Sequence, residues 1–142
     1  GWEDAYYGAF SAASDGDRPV VVSYASSPAA EVYFAETKLE VAPTAAVVSD
    51  GSCFRQVEFV GVLQGTEHEA EAKQLVDFLL SRPFQEDIPL NMFVFPANEM
   101  AELPEVFLEH SQVPDNPATI SPEEIASNRE AWVQAWTETV LR

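Results

Sequence analysis

Apolar residues along this chain recur at two spacings that alternate from end to end. One is helical; the other is contiguous or every second residue. That alternation predicts an α/β domain. From Trp2 to Ala13 the positions Trp2, Ala5, Tyr6, Ala9, Phe10 and Ala13 share one helical face, and Asp15-Gly16-Asp17 stops the pattern. Pro19 to Tyr24 reads as a buried strand, because Val20, Val21 and Val22 are β-branched and contiguous. Ser26-Ser27-Pro28 then predicts a turn into a short helix, with Ser27 as N-cap and Pro28 at the first helical position. Further strands are expected within Thr44 to Val48 and from Gln56 to Leu63.

Thr66 to Ser81 carries the clearest helical pattern of the first hundred residues. Thr66 and Glu69 stand at capping-box spacing, and Ala70, Leu75, Phe78 and Leu79 supply an apolar face. Pro83 opens a short helical turn, Asn91 to Phe95 reads as extended, and Pro104 to Pro117 reads as irregular connection. Ser121-Pro122-Glu123-Glu124 opens a long terminal helix with Ile125, Trp132, Val133, Trp136 and Val140 on one side. Trp132 and Trp136, four residues apart, have the spacing of a packing stripe and are expected in the core. No internal repeat or low-complexity segment interrupts the order.

Composition narrows the function classes. With 142 residues and 46% hydrophobic side chains, the chain can bury a core. No run approaches the roughly 18 apolar residues of a membrane span, and the N-terminus lacks the pattern of a signal peptide. Twenty-four acidic against seven basic side chains give a formal net charge of −17. Nucleic acid and anionic membrane surfaces are poor candidate partners for that balance, since both need a positive face. The balance reads first as a heavily solvated surface, and second as a field that favours capture of a cationic ligand. Cys53 is the single cysteine, so neither an intrachain disulfide nor a cysteine-based metal cluster can form.

Several segments, in order, resemble the solute-binding proteins of ABC importers. Ala72-Lys73-Gln74-Leu75-Val76-Asp77-Phe78-Leu79-Leu80-Ser81 followed by Pro83-Phe84-Gln85 looks like the helix-then-glutamine signature of that superfamily. Val22-Ser23-Tyr24-Ala25-Ser26-Ser27-Pro28-Ala29 resembles a segment of its thiamine receptors. So do Ile88-Pro89-Leu90-Asn91-Met92-Phe93-Val94-Phe95-Pro96 and Ser121 to Arg142 with its paired tryptophans. The resemblance implies a periplasmic-binding-protein-like (type II) clamp, of which residues 1–142 form the C-terminal part and an N-terminal lobe absent from this sequence the remainder. It implies a binding protein and not an enzyme. Thiamine or a thiamine phosphate would be the ligand, an ABC transporter permease the partner, and no cofactor is needed. The site of action would be the periplasm or the extracellular face of the cell membrane, with or without a lipid anchor, under a signal outside this sequence.

Thiamine joins a cationic thiazolium to an aromatic aminopyrimidine, so its receptor needs aromatic faces and a few orienting hydrogen bonds. The resemblance assigns ligand contact to Tyr24, Trp2 and Phe93, with Ser26 beside them in the strand-and-turn segment. Phe93 stands where the family commonly has tryptophan, and Ala30 where a second stacking tyrosine is expected. Two alternatives stay open. Ferric-ion receptors of the superfamily use adjacent tyrosines as phenolate ligands, which Tyr6 and Tyr7 could match, with Glu3 or Asp4 adding oxygen donors. Thiamine-degrading transferases share the clamp and use a cysteine, for which Cys53 is the available thiol and His68 or His110 the available base.

Overall fold

The computed structural model describes residues Gly1–Leu141. Helix α1 spans Trp2–Asp4 and continues into a π-helical turn, Ala5–Ala9. Beyond it along the chain lie α2 (Ser27–Tyr33), α3 (Glu69–Leu79), α4 (Arg82–Met92), α5 (Glu105–His110) and α6 (Pro122–Val140). Two compact units divide the chain. One comprises Gly1–Val48 and Val57–Val113, the other Ser49–Gln56 and the residues from Pro114 onward.

In the first unit α2 packs on α5, and α3 meets α4. Its buried apolar side chains are Tyr6, Phe10, Pro28, Ala29, Pro89 and Phe107, the last 1% exposed. Burying a ring of that size contributes about 2 to 3 kcal/mol. Phe107 therefore anchors α5, a helix lying inside the stretch expected to be irregular.

The first helix stops earlier than its apolar pattern implied. The Phe10 N–H reaches back to the Ala5 carbonyl at 3.0 Å, closing the wide π turn, and Phe10 itself is extended. The chain then loops until the Arg18 N–H bonds to the Ala9 carbonyl at 3.0 Å. Gly16 makes that loop possible, because a Cβ there would collide with the Ala9 carbonyl group.

Among the described residues no strand ladder forms, and pairing is limited to two isolated parallel bridges, Phe10 with Arg18 and Phe54 with Ala118. The three expected strands are therefore corrected to segments without regular secondary structure, and the stretch Pro19–Tyr24 expected to be buried is mostly exposed, with Val22 at 92%. β-Branched residues stiffen the backbone toward extension, but a ladder needs a neighbour about 4.8 Å away. Thr44 to Val48 keeps a two-residue rhythm even so, with Thr44, Ala46 and Val48 half-buried and Ala45 and Val47 exposed.

Local chemistry corrects three boundaries. Thr66 does not cap α3; its hydroxyl accepts the His68 N–H at 3.2 Å, and the helix starts at Glu69. At α2 the N-cap is Ser26 and not Ser27. Helix α4 runs through Asn91 and Met92, which the sequence pattern expects to be extended. Its end is set by Phe93 in the left-handed conformation, φ 53° and ψ 34°, with its N–H on the Pro89 carbonyl at 3.1 Å. Buried Gln85 ties the start of α4 to the chain on either side, donating to the Leu79 carbonyl at 2.7 Å and accepting from the Ala97 N–H at 2.6 Å.

In the second unit Ser121 caps α6 as expected, accepting the Glu124 N–H at 3.1 Å. The expected core position of its tryptophans is corrected: Trp132 is 42% and Trp136 55% exposed, and α6 buries no residue. Among the described residues this unit holds no second helix against which the stripe could pack.

Candidate functional site

Helical spacing sets Tyr6 one turn after Trp2, and their rings stack with centroids 4.9 Å apart and planes at 28°. A π turn rotates successive residues by less than the α-helical 100°, so the next residue also reaches the indole. Tyr7 meets Trp2 edge-on at 5.7 Å and Tyr6 at 5.3 Å. From the irregular segment before α2, Tyr24 comes to 6.2 Å from Trp2 at a tilt of 52°. Trp2, Tyr7 and Tyr24 are exposed, while Tyr6 is buried behind them against Phe10. The result is an aromatic wall with open ring surface on a buried backing.

Hydrogen bonds fix the wall at both ends. The Trp2 indole N–H donates to the Ser23 hydroxyl at 3.0 Å, and Ser23 shares a 2.7 Å bond with Ser27 at the start of α2. Behind the wall the Tyr6 hydroxyl donates to Oε1 of Glu31, and the Thr44 hydroxyl donates to Oε2 of the same carboxylate at 2.6 Å. Burial, and secondarily the Glu31 carboxylate that holds its proton, push the Tyr6 phenol well above the ordinary tyrosine range.

Phe93 and Ser26 occupy a neighbouring layer. The Ser26 hydroxyl donates to the Phe93 carbonyl at 2.5 Å, and Ser26 is buried. The Phe93 ring lies 5.9 Å from Tyr33, 5.1 Å from Phe34 and 6.1 Å from Phe107. Thus Trp2 and Tyr24 share one aromatic cluster and Phe93 belongs to a second. Ser26 joins them through the chain, two residues after Tyr24. In that place the Ser26 hydroxyl is committed to the protein's own backbone.

The alternative chemistries find other settings. Among the described residues no group of three His, Cys, Asp or Glu side chains is arranged to hold a metal ion. Tyr6 has its phenolic proton committed to Glu31, which disfavours the phenolate that a ferric ligand requires. Cys53 lies in the second unit with its sulfur 3.7 Å from the Ser52 hydroxyl. His68 and His110 lie in the first, at the N-cap of α3 and at the end of α5.

The model of the bacterial extracellular solute-binding proteins matches residues 2–117, which include the wall and both aromatic clusters. The chain belongs to this family. Among curated relatives, this solute-binding protein is 32% identical over 142 residues to the thiamine-binding periplasmic protein of Salmonella typhimurium. Identity is 32% over 142 residues with the Escherichia coli protein of the same name, and 30% over 143 residues with that of Brucella melitensis. Each alignment takes in all of this chain and 40% of the relative's length. No solved structure matches.

Three polar residues of this solute-binding protein escaped the sequence pattern. Ser23 accepts from Trp2, Glu31 accepts from Tyr6, and Thr44 donates to Glu31, across separations of 13 to 25 residues. Glu31 carried a faint signal as the one acid in Ser27–Tyr33, an otherwise small and apolar helix. Chemically, the wall offers stacking and cation–π faces backed by a carboxylate. An aromatic cation is the ligand such a surface favours.

Proposed function

We propose that this chain is the C-terminal part of a two-lobed, type II clamp receptor that binds thiamine or a thiamine phosphate and delivers it to an ABC transporter permease. The observation that carries the reading is the exposed Trp2–Tyr24 pair, 6.2 Å apart with open ring faces. The names of the relatives supply the ligand, and their periplasmic location supports action outside the cytoplasm. No helix among the described residues is long and apolar enough to cross a membrane. An N-terminal lobe outside this sequence would close over the wall. Phe93 contributes the second aromatic layer and Ser26 holds it in position. Catalysis is not part of this role.

Incubation of the complete receptor with thiamine, followed by mass spectrometry, separates receptor from enzyme. The ligand should be returned with unchanged mass; a fragment or adduct would contradict the reading. Addition of ferric ion should give no tyrosinate-to-iron absorption band.

A further inference from the structure

We propose that Glu31 is a specificity-determining residue, an anionic backing that acts through Tyr6 to make the Trp2 wall select a cationic ring over a neutral one of the same shape. This rests on the Trp2 wall being the ligand-binding surface. Three observations carry it. Tyr6 stacks on the inner face of Trp2, with near-parallel planes at 28°. The Tyr6 hydroxyl donates to the Glu31 carboxylate, which draws electron density toward the phenol ring and from there toward the stacked indole. Thr44 donates to the second carboxylate oxygen at 2.6 Å, so the charge is held in one orientation beneath the wall.

A ring quadrupole attracts a cation at its open face, and a fixed negative charge behind the stack adds to that attraction. The same charge does nothing for a neutral ring, whose stacking depends on area and dispersion. Among the described residues the side chains bonded to Glu31 are Tyr6 and Thr44, both neutral donors. Neither hydroxyl brings a positive charge to the carboxylate, so its field is left to act through the stack.

The test uses the complete receptor, wild type and Glu31→Gln, titrated with thiamine and with a neutral analogue in which thiophene replaces the thiazolium. Gln keeps the shape and can still accept from Tyr6, so the wall is preserved while the charge is removed. Thiamine affinity should fall about three- to tenfold, and affinity for the neutral analogue should stay unchanged. A second readout needs no thiamine: quenching of the Trp2 fluorescence component, isolated by difference from Trp2→Phe, with cationic N-methylpyridinium and with neutral acrylamide. Glu31→Gln should lower the ratio of cationic to neutral quenching. Equal losses for thiamine and analogue, or an unchanged quenching ratio, would overturn the proposal. If the wild type binds neither thiamine nor its analogue while the ratio still falls, the thiamine reading fails and the role of Glu31 stands.

Discussion

The Ser26 hydroxyl donates to the Phe93 carbonyl at 2.5 Å, tying the turn before α2 to the residue that ends α4. Phe93 carries a φ of 53°, the one positive value among non-glycine residues described. An L-residue in that conformation costs roughly 1 to 2 kcal/mol. Ring contacts to Tyr33, Phe34 and Phe107, together with the Ser26 bond, offset that strain.

Ser26→Ala should therefore destabilise the protein by about 1 to 2 kcal/mol, since it removes a part-buried hydrogen bond and leaves the Phe93 carbonyl without its side-chain donor. Urea unfolding of the variant beside the wild type measures this. An unchanged midpoint would mean that the αL turn at Phe93 is held by ring packing alone.

Alkaline titration reads the backing of the wall. The folded-state pKa of Tyr6 lies above the ordinary value of 10.0 because burial and the Glu31 carboxylate disfavour the phenolate. A raised pKa means that the stabilisation is fully present below about pH 10 and is lost as pH rises toward the folded value. The stability advantage of the wild type over Tyr6→Phe should thus shrink above about pH 10, as chemical denaturation across the range would measure. A gap independent of pH would show that the hydroxyl is not held by Glu31 in solution.

Exposure of the α6 stripe predicts tolerance. Trp132→Ala and Trp136→Ala should each shift stability by no more than about 0.5 kcal/mol, the usual range for surface positions. Tryptophan emission from these two residues should be accessible to acrylamide. A loss of several kcal/mol from either variant would place the stripe in a packed core.

What the sequence conveyed about the fold depended on the range of the interaction. Ser121 with Glu124, and the apolar spacing of Glu69–Leu79, are settled within a turn or two of helix; α6 opens where the pattern puts it, and α3 forms within the expected stretch but begins three residues later than its expected cap. Strand expectations failed at Val20–Val22 because β-branching biases one segment while a ladder needs a second. Nothing in Met92-Phe93-Val94 announces a left-handed phenylalanine, since the contacts that offset its strain include the bond from Ser26, 67 residues away. At the site, Trp2 and Tyr24 were singled out by family resemblance and Tyr6 by its neighbour Tyr7. Glu31 and Thr44 gain their meaning from partners that the fold brings together.

The central claim is that the Trp2–Tyr24 wall binds the thiamine cation, and isothermal titration of the complete receptor, wild type and Tyr24→Ala, tests it most directly. Tyr24 is 61% exposed, so its truncation should leave the fold intact while thiamine binding weakens by about 1 to 3 kcal/mol, the loss expected of a binding hot spot. An affinity for thiamine unchanged from wild type, in a variant with wild-type unfolding behaviour, would contradict the account.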